Sequence, residues 1–253
     1  MGARMGYSSG TFCWADLATP DVESAKAFYG GLLAWEFDHL ASGDSPDYIL
    51  ARRDGARVAA LHEATDQPPH WNNYVTVDDP DLVGRRAQEL GGRVFAGPFE
   101  VLSAGRMAAI LDPQGAMVIA WKPAGLVGAE VVNEPGAMTW NDLLTSDVEA
   151  ARKFYAALFG WKVDPVPESG GRYWVITGPE GSNGGMMPLP TAGSPPFWQP
   201  YFAVESLKAA QAKVRELGGR VLTEPVTVPS GAFVAVLDPH GAGFSLLEGN
   251  LDP

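Results

Sequence analysis

The sequence predicts an α+β protein made of four βαβββ modules arranged as two pairs, and three observations carry that reading. TFCWADLATPDVESAKAFYGGLLAW, residues 11–35, returns as MTWNDLLTSDVEAARKFYAALFGW at 138–161. The later parts of the two halves match as well: PPHWNNYVTVDD (68–79) with PPFWQPYFAVES (195–206), ELGGRV (89–94) with ELGGRV (216–221), and LDPQGA (111–116) with LDPHGA (237–242). Within each half, the order of one strand, one helix and several further strands occurs twice. Self-similarity of this kind marks a duplicated structural unit. The expected organisation is a first domain over 1–122, a linker rich in Gly, Pro and Ala over 123–136, and a second domain over 137–253.

Each element has a local reason. Thr11 to Ala18 reads as a short strand. Thr19 is placed to cap the helix that follows, with Pro20 at its first position. In the second copy Ser146-x-x-Glu149 has the spacing of a capping box. Val22, Ala25, Phe28/Tyr29 and Leu32/Leu33 then fall on one helical face. Strands are expected over Tyr48–Arg52 and Arg57–His62. Asn73–Val77 opens the second module, whose helix covers Pro80–Leu90 and stops at Gly91-Gly92. Short strands follow near Val94–Phe95, Arg106–Leu111 and Met117–Lys122. The turn Asp112-Pro113-Gln114-Gly115 joins the last two.

Composition narrows the function. Apolar residues make up 46% of the 253 and charged residues 19%, enough to bury a sizeable core. No apolar run reaches the length of a membrane span, and the opening MGARMGYSSG lacks the apolar stretch of a signal peptide. A single cysteine, Cys13, excludes an internal disulfide and a cysteine-based zinc site, and a cytoplasmic setting is expected. The net charge of −12 argues against nucleic acid and anionic membrane surfaces. A small molecule is the expected partner.

The ordered motifs Thr19-x-Asp21, Ala25-x-x-Phe28-Tyr29 and Asp112-Pro113-x-Gly115 recur as Ser146–Asp147, Ala151-x-x-Phe154-Tyr155 and Asp238-Pro239-x-Gly241. In this order they resemble the vicinal oxygen chelate superfamily, which includes glyoxalase I, bleomycin- and fosfomycin-resistance proteins and extradiol dioxygenases. The tandem arrangement resembles two-domain actinobacterial proteins of the glyoxalase-like or hydroxylase type. The resemblance implies two glyoxalase-like domains, each folding its pair of modules into a curved mixed sheet around a cavity. It also implies a monomer or homodimer, because the duplication supplies in one chain the pairing that single-domain relatives obtain by dimerising.

Metal-dependent members place His, Gln or Glu at four inward positions per cavity. Carried over onto this chain, those positions fall on Trp14, Asn72, Ile119 and a residue near Ala60, and on Trp140, Gln199, Ser245 and a residue near Met186/Met187. Indole is no metal ligand, so neither half assembles a convincing donor set. No metal and no cofactor are expected; the alternative donor group is His62, His70 and Glu63, close together in sequence.

Trp14 and Trp140 are then expected to line the cavities and stack on a planar ligand. Strand alternation puts Asp16 and Asp142 on the same face, where a buried carboxylate is a candidate general acid or base. Asn72 with Tyr74, Gln199 with Tyr201, His62 and Met187 complete the expected ligand-binding set. Cys13 should face away from Trp14 as a small buried hydrophobe. The expected function is metal-independent binding of a small planar or hydrophobic molecule in an aromatic-lined cavity, by analogy with bleomycin-resistance proteins. The alternative is a glyoxalase- or hydroxylase-like enzyme of secondary metabolism or aldehyde detoxification, with Asp16 or Asp142 moving protons.

Overall fold

The computed structural model describes residues 2–40 and 48–250. The first half forms β1 (Phe12–Thr19), α1 (Val22–Leu33), β2 (Glu36–Leu40), β3 (Tyr48–Arg53), β4 (Ala56–Glu63), β5 (His70–Thr76), α2 (Pro80–Glu89), β6 (Arg93–Val101), β7 (Gly105–Leu111) and β8 (Met117–Pro123). The second half forms β9 (Met138–Thr145), α3 (Val148–Phe159), β10 (Lys162–Pro165), β11 (Trp174–Gly178), β12 (Gly181–Pro188), β13 (Phe197–Ala203), α4 (Leu207–Glu216), β14 (Arg220–Val221), β15 (Val226–Val228), β16 (Gly231–Leu237) and β17 (Gly243–Gly249). The four expected modules are therefore present in the expected order.

Each half closes its own mixed sheet. The first is ordered β2-β3-β4-β1-β5-β8-β7-β6, and the second β10-β11-β12-β9-β13-β17-β16-β14 with β15 added beside β16. The first strands of the two modules, β1 and β5, pair antiparallel at the centre; each then pairs in parallel with the last strand of its own module. The second sheet repeats this with β9 and β13.

Three local expectations are corrected. Asp21, not Thr19, caps α1 by accepting from the Ser24 amide, and Asp147 likewise replaces Ser146 at α3. The helices start after Pro20 and Ser146, because an Asp carboxylate also favours the positive end of the helix dipole. The strand expected at Val94–Phe95 extends over all of β6. Cys13 does not face away from Trp14. The pairing steps from Phe12–Val75 to Trp14–Tyr74, leaving Cys13 as an extra residue, and a bulge of this kind breaks strict alternation. Cys13 therefore packs in the same apolar cluster as Trp14.

One core contains residues of both halves. Trp35, Trp71 and Phe28 of the first half meet Phe202 and Phe244 of the second, with Trp35 and Phe202 ring centroids 5.3 Å apart. The duplicated phrase accounts for this junction reciprocally. Trp35 Nε1 donates to the Gly136 carbonyl at 2.7 Å, and its copy Trp161 donates to the Gly10 carbonyl at 2.6 Å. Tyr29 reaches Asp238 across the junction, and Tyr155 reaches Asp112. Gly10 and Gly136 have φ near +90°, and a Cβ there would meet the Phe159 and Leu33 carbonyls at 3.0 and 2.9 Å. Only glycine suits both demands. So Phe-Tyr, Gly10/Gly136, the later Trp and Asp-Pro-x-Gly are joints between domains. The sheet faces turned away from this shared core remain for other uses.

Candidate functional site

On the outer face of the first sheet, β1 carries Trp14 and Asp16, and β5 sets Tyr74 opposite Trp14 and Asn72 opposite Asp16. β4 places Ala60 beside Asp16 and His62 two residues on. The Asp16 carboxylate is buried. Its Oδ2 accepts from Tyr74 Oη at 2.5 Å and Tyr48 Oη at 2.8 Å, and its Oδ1 accepts from Asn72 Nδ2 at 2.8 Å. Trp14 Nε1 donates to Tyr48 Oη at 2.9 Å. The His62 ring lies against Tyr48, its Nδ1 3.9 Å from Asp16 Oδ1, beyond hydrogen-bond reach.

The second sheet repeats the arrangement. Asp142 Oδ1 accepts from Tyr173 Oη at 2.7 Å and Trp140 Nε1 at 3.0 Å; its Oδ2 accepts from Tyr201 Oη at 2.6 Å. Trp140 Nε1 also points at Tyr173 Oη. Gln199, opposite Asp142, donates instead to Ser245 at 2.6 Å. Met187 is half-buried and occupies on β12 the register that His62 occupies on β4.

Burial pushes the Asp142 carboxyl above the ordinary carboxylate range, and the three donors pull the other way without cancelling it. Burial, and then the adjacent carboxylate, push the Tyr48, Tyr74, Tyr173 and Tyr201 phenols well up. They stay neutral and donate. Hydrogen bonds to a charged acceptor contribute about 1.5–3 kcal/mol each, so each ring of donors offsets much of the cost of burying its carboxylate.

All ten expected site residues thus lie on the outer faces, seven of them in two similar hydrogen-bonded groups; Gln199, His62 and Met187 stand beside these without a hydrogen bond to the carboxylate. Tyr48 and Tyr173 belong to these groups and were not among the expected residues. Strand register, which no local pattern gives, brings them in: Tyr48 stands opposite His62, and Tyr173 precedes Trp174, which stands opposite Met186.

The donor set does not fit a divalent metal. The ligand positions that the resemblance implies fall on Trp14, Asn72, Ile119 and a residue near Ala60 in one sheet. In the other, the positions the resemblance implies are Trp140, Gln199, Ser245 and a residue near Met186/Met187, where β12 pairs Gly185 with Asp142. Phenol, indole and amide donors already engage the two carboxylates. Beside Asp16, Asn72 Oδ1 and His62 Nδ1 are buried acceptors without a partner among the described residues, and with one carboxylate they fall short of the donor number a divalent cation takes. Among the described residues no three His, Cys, Asp or Glu side chains gather into a ligand group, and His70 Nδ1 is engaged with the Pro68 carbonyl at 2.8 Å.

Residues 11–119 and 136–246 both match the model of the Glyoxalase/Bleomycin resistance protein/Dioxygenase superfamily. The chain is 38% identical over 256 aligned positions to the putative glyoxylase CFP32 of Mycobacterium tuberculosis, covering 98% of both chains. It is 35% identical over 264 positions to the anthracycline biosynthesis protein DauV of a Streptomyces species, covering 96% of this chain and 94% of that one. Among solved structures, the Mn(II)-bound glyoxalase of Novosphingobium aromaticivorans superposes with a TM-score of 0.68 at 15% identity, over 100% of this chain and 84% of that one. The 2,3-dioxygenase LapB of Pseudomonas sp. KL28 gives 0.65 at 15% identity, over 100% and 94%. At such identities the two structures share the fold alone.

Proposed function

The chain belongs to the Glyoxalase/Bleomycin resistance protein/Dioxygenase superfamily, and we propose that within it the protein binds a small, planar, largely apolar molecule without a metal. The observation that carries the proposal is the chemistry of the donor set. At the positions where the resemblance implies ligands this chain has tryptophan, two amides and apolar or small side chains, and the carboxylate beside them is already ringed by phenol and indole donors. Aromatic walls with a few fixed polar groups at the base suit a flat ligand. The Streptomyces relatives described as anthracycline biosynthesis proteins support the same ligand shape, since anthracyclines are flat polycycles. Function by sequestration, as in bleomycin-resistance proteins, follows from this reading.

A second reading rests on Asp142. A carboxyl raised by burial and held by two phenols can exchange a proton with a bound ligand, as a hydroxylase- or glyoxalase-like enzyme would need. Titration with 2-naphthol, followed by tryptophan fluorescence, tests the first reading. Saturable quenching is expected; an unchanged signal at millimolar probe contradicts it. Recovery of 2-naphthol unchanged from the wild type supports the first reading; its conversion by the wild type and not by Asp142→Asn supports the second.

A further inference from the structure

The two outer faces are not equally available. In the first domain the N-terminal segment and the linker lie across the face. Ala3 pairs with Val131 in an antiparallel bridge, flanked by Arg4 N to Glu130 O at 2.7 Å and Val132 N to Gly2 O at 2.9 Å. This two-stranded strap turns Leu126, Ala129 and Val132 inward, all buried in one cluster with Trp14, Tyr74, Ile119 and Trp121. Polar contacts seal it. Trp121 Nε1 donates to the Leu126 carbonyl at 3.0 Å and Tyr7 Oη to the Ala129 carbonyl at 2.6 Å. The Ala129 amide donates to the Cys13 carbonyl at 2.8 Å, and Arg57 pairs with Glu130.

Among the described residues the second domain has no such cover. Trp140, Tyr173, Val175, Met187 and Phe233 stay half-exposed around buried Tyr201 and Asp142; none joins an apolar cluster, whereas Trp14, Tyr48, Leu50 and Met107, the counterparts of four of them, do. Phe233 sets its ring edge against Tyr201 at 5.3 Å.

Resting on the binding reading above, we infer that the chain binds one ligand, in a shallow cup formed by the half-exposed face of the second domain around Tyr201 and Asp142, and that its own strap covers the equivalent face of the first. The cup also defines the ligand more closely. Asp142 Oδ2 accepts one hydrogen bond here, from Tyr201 Oη, and keeps acceptor capacity, while the phenol hydrogens of Tyr173 and Tyr201 are committed to Asp142 and Tyr173 Oη accepts from Trp140 Nε1. A flat molecule lodged against Trp140 and Phe233 is therefore recognised by a hydrogen-bond donor on its edge, as in a phenol or hydroxylated polycycle.

Phe233 and Met107 occupy equivalent registers, opposite Leu247 and Trp121. Calorimetric titration with 2-naphthol of the full chain, Phe233→Ala and Met107→Ala tests the inference, with near-ultraviolet circular dichroism verifying that each variant is folded. The wild type should bind about one equivalent. Phe233→Ala should weaken binding by about tenfold or more, and Met107→Ala should leave it within about twofold. Naphthalene, which lacks the hydroxyl, should bind at least about tenfold more weakly than 2-naphthol. Two equivalents, or loss of binding through Met107→Ala with Phe233→Ala unaffected, would overturn the inference and leave the binding reading standing. Absence of any binding by the wild type would overturn both.

Discussion

The Tyr29 hydroxyl donates to Asp238 Oδ2 at 3.3 Å, from the helix of one domain to the last turn of the other, 209 residues away in sequence. Its copy, Tyr155 to Asp112 Oδ2 at 3.1 Å, runs the opposite way. Trp71 and Trp198 each donate to the tyrosine oxygen at 3.2 and 3.0 Å, so both relays are complete. The other oxygen of each aspartate accepts backbone amides of its own Asp-Pro-x-Gly turn. The motifs that identify the family therefore hold the two domains together, and the site lies on the opposite faces of the sheets.

Tyr29→Phe and Tyr155→Phe should each lower stability by about 1–3 kcal/mol, because each leaves a buried carboxylate oxygen and an indole N–H without a partner. Urea denaturation measures this. Ligand affinity should not change, since neither tyrosine reaches an outer face.

The Asp142 carboxyl is raised by burial, so the folded chain holds that proton more tightly than the unfolded chain. The resulting stabilisation is complete below the unfolded value, about 3.9, and fades as pH rises through the folded value. Asp142→Asn removes this dependence. The melting temperature of the wild type relative to Asp142→Asn should fall as pH is raised from acid toward neutrality. Parallel melting curves across that range would contradict the burial account.

Asp21→Ala and Asp147→Ala should each cost about 1 kcal/mol, while Thr19→Ala should cost less as a cap. Thermal melting of the three variants distinguishes the observed caps from those the Thr-Pro and Ser-x-x-Glu spacings imply.

Cys13 is wholly buried and its thiol is pushed up to about 12. It should resist an aromatic disulfide reagent at neutral pH in the native chain and react on unfolding. Prompt labelling of the native protein would contradict the bulged packing.

Much of this was legible in the sequence. The duplication fixes four modules, and alternation brings Trp14 with Asp16 and Trp140 with Asp142 onto one face. Three things were not legible, for physical reasons. A bulge at Cys13 changes the face of one residue without any mark in composition. Tyr48 and Tyr173 join the carboxylates across three strands, a relationship set by register. The strap depends on pairing Ala3 with Val131, which no local pattern announces; the Gly-, Pro- and Ala-rich linker reads as a spacer and folds as cover.

Metal content tests the central claim most directly: elemental analysis of the protein purified with neither added metal nor chelator. Below about a tenth of an equivalent of Ni, Zn, Fe, Mn or Co is predicted, because each outer face offers a cation a single carboxylate already engaged by two or more donors. Near-stoichiometric metal would contradict the account and point to a donor set that these residues do not form here.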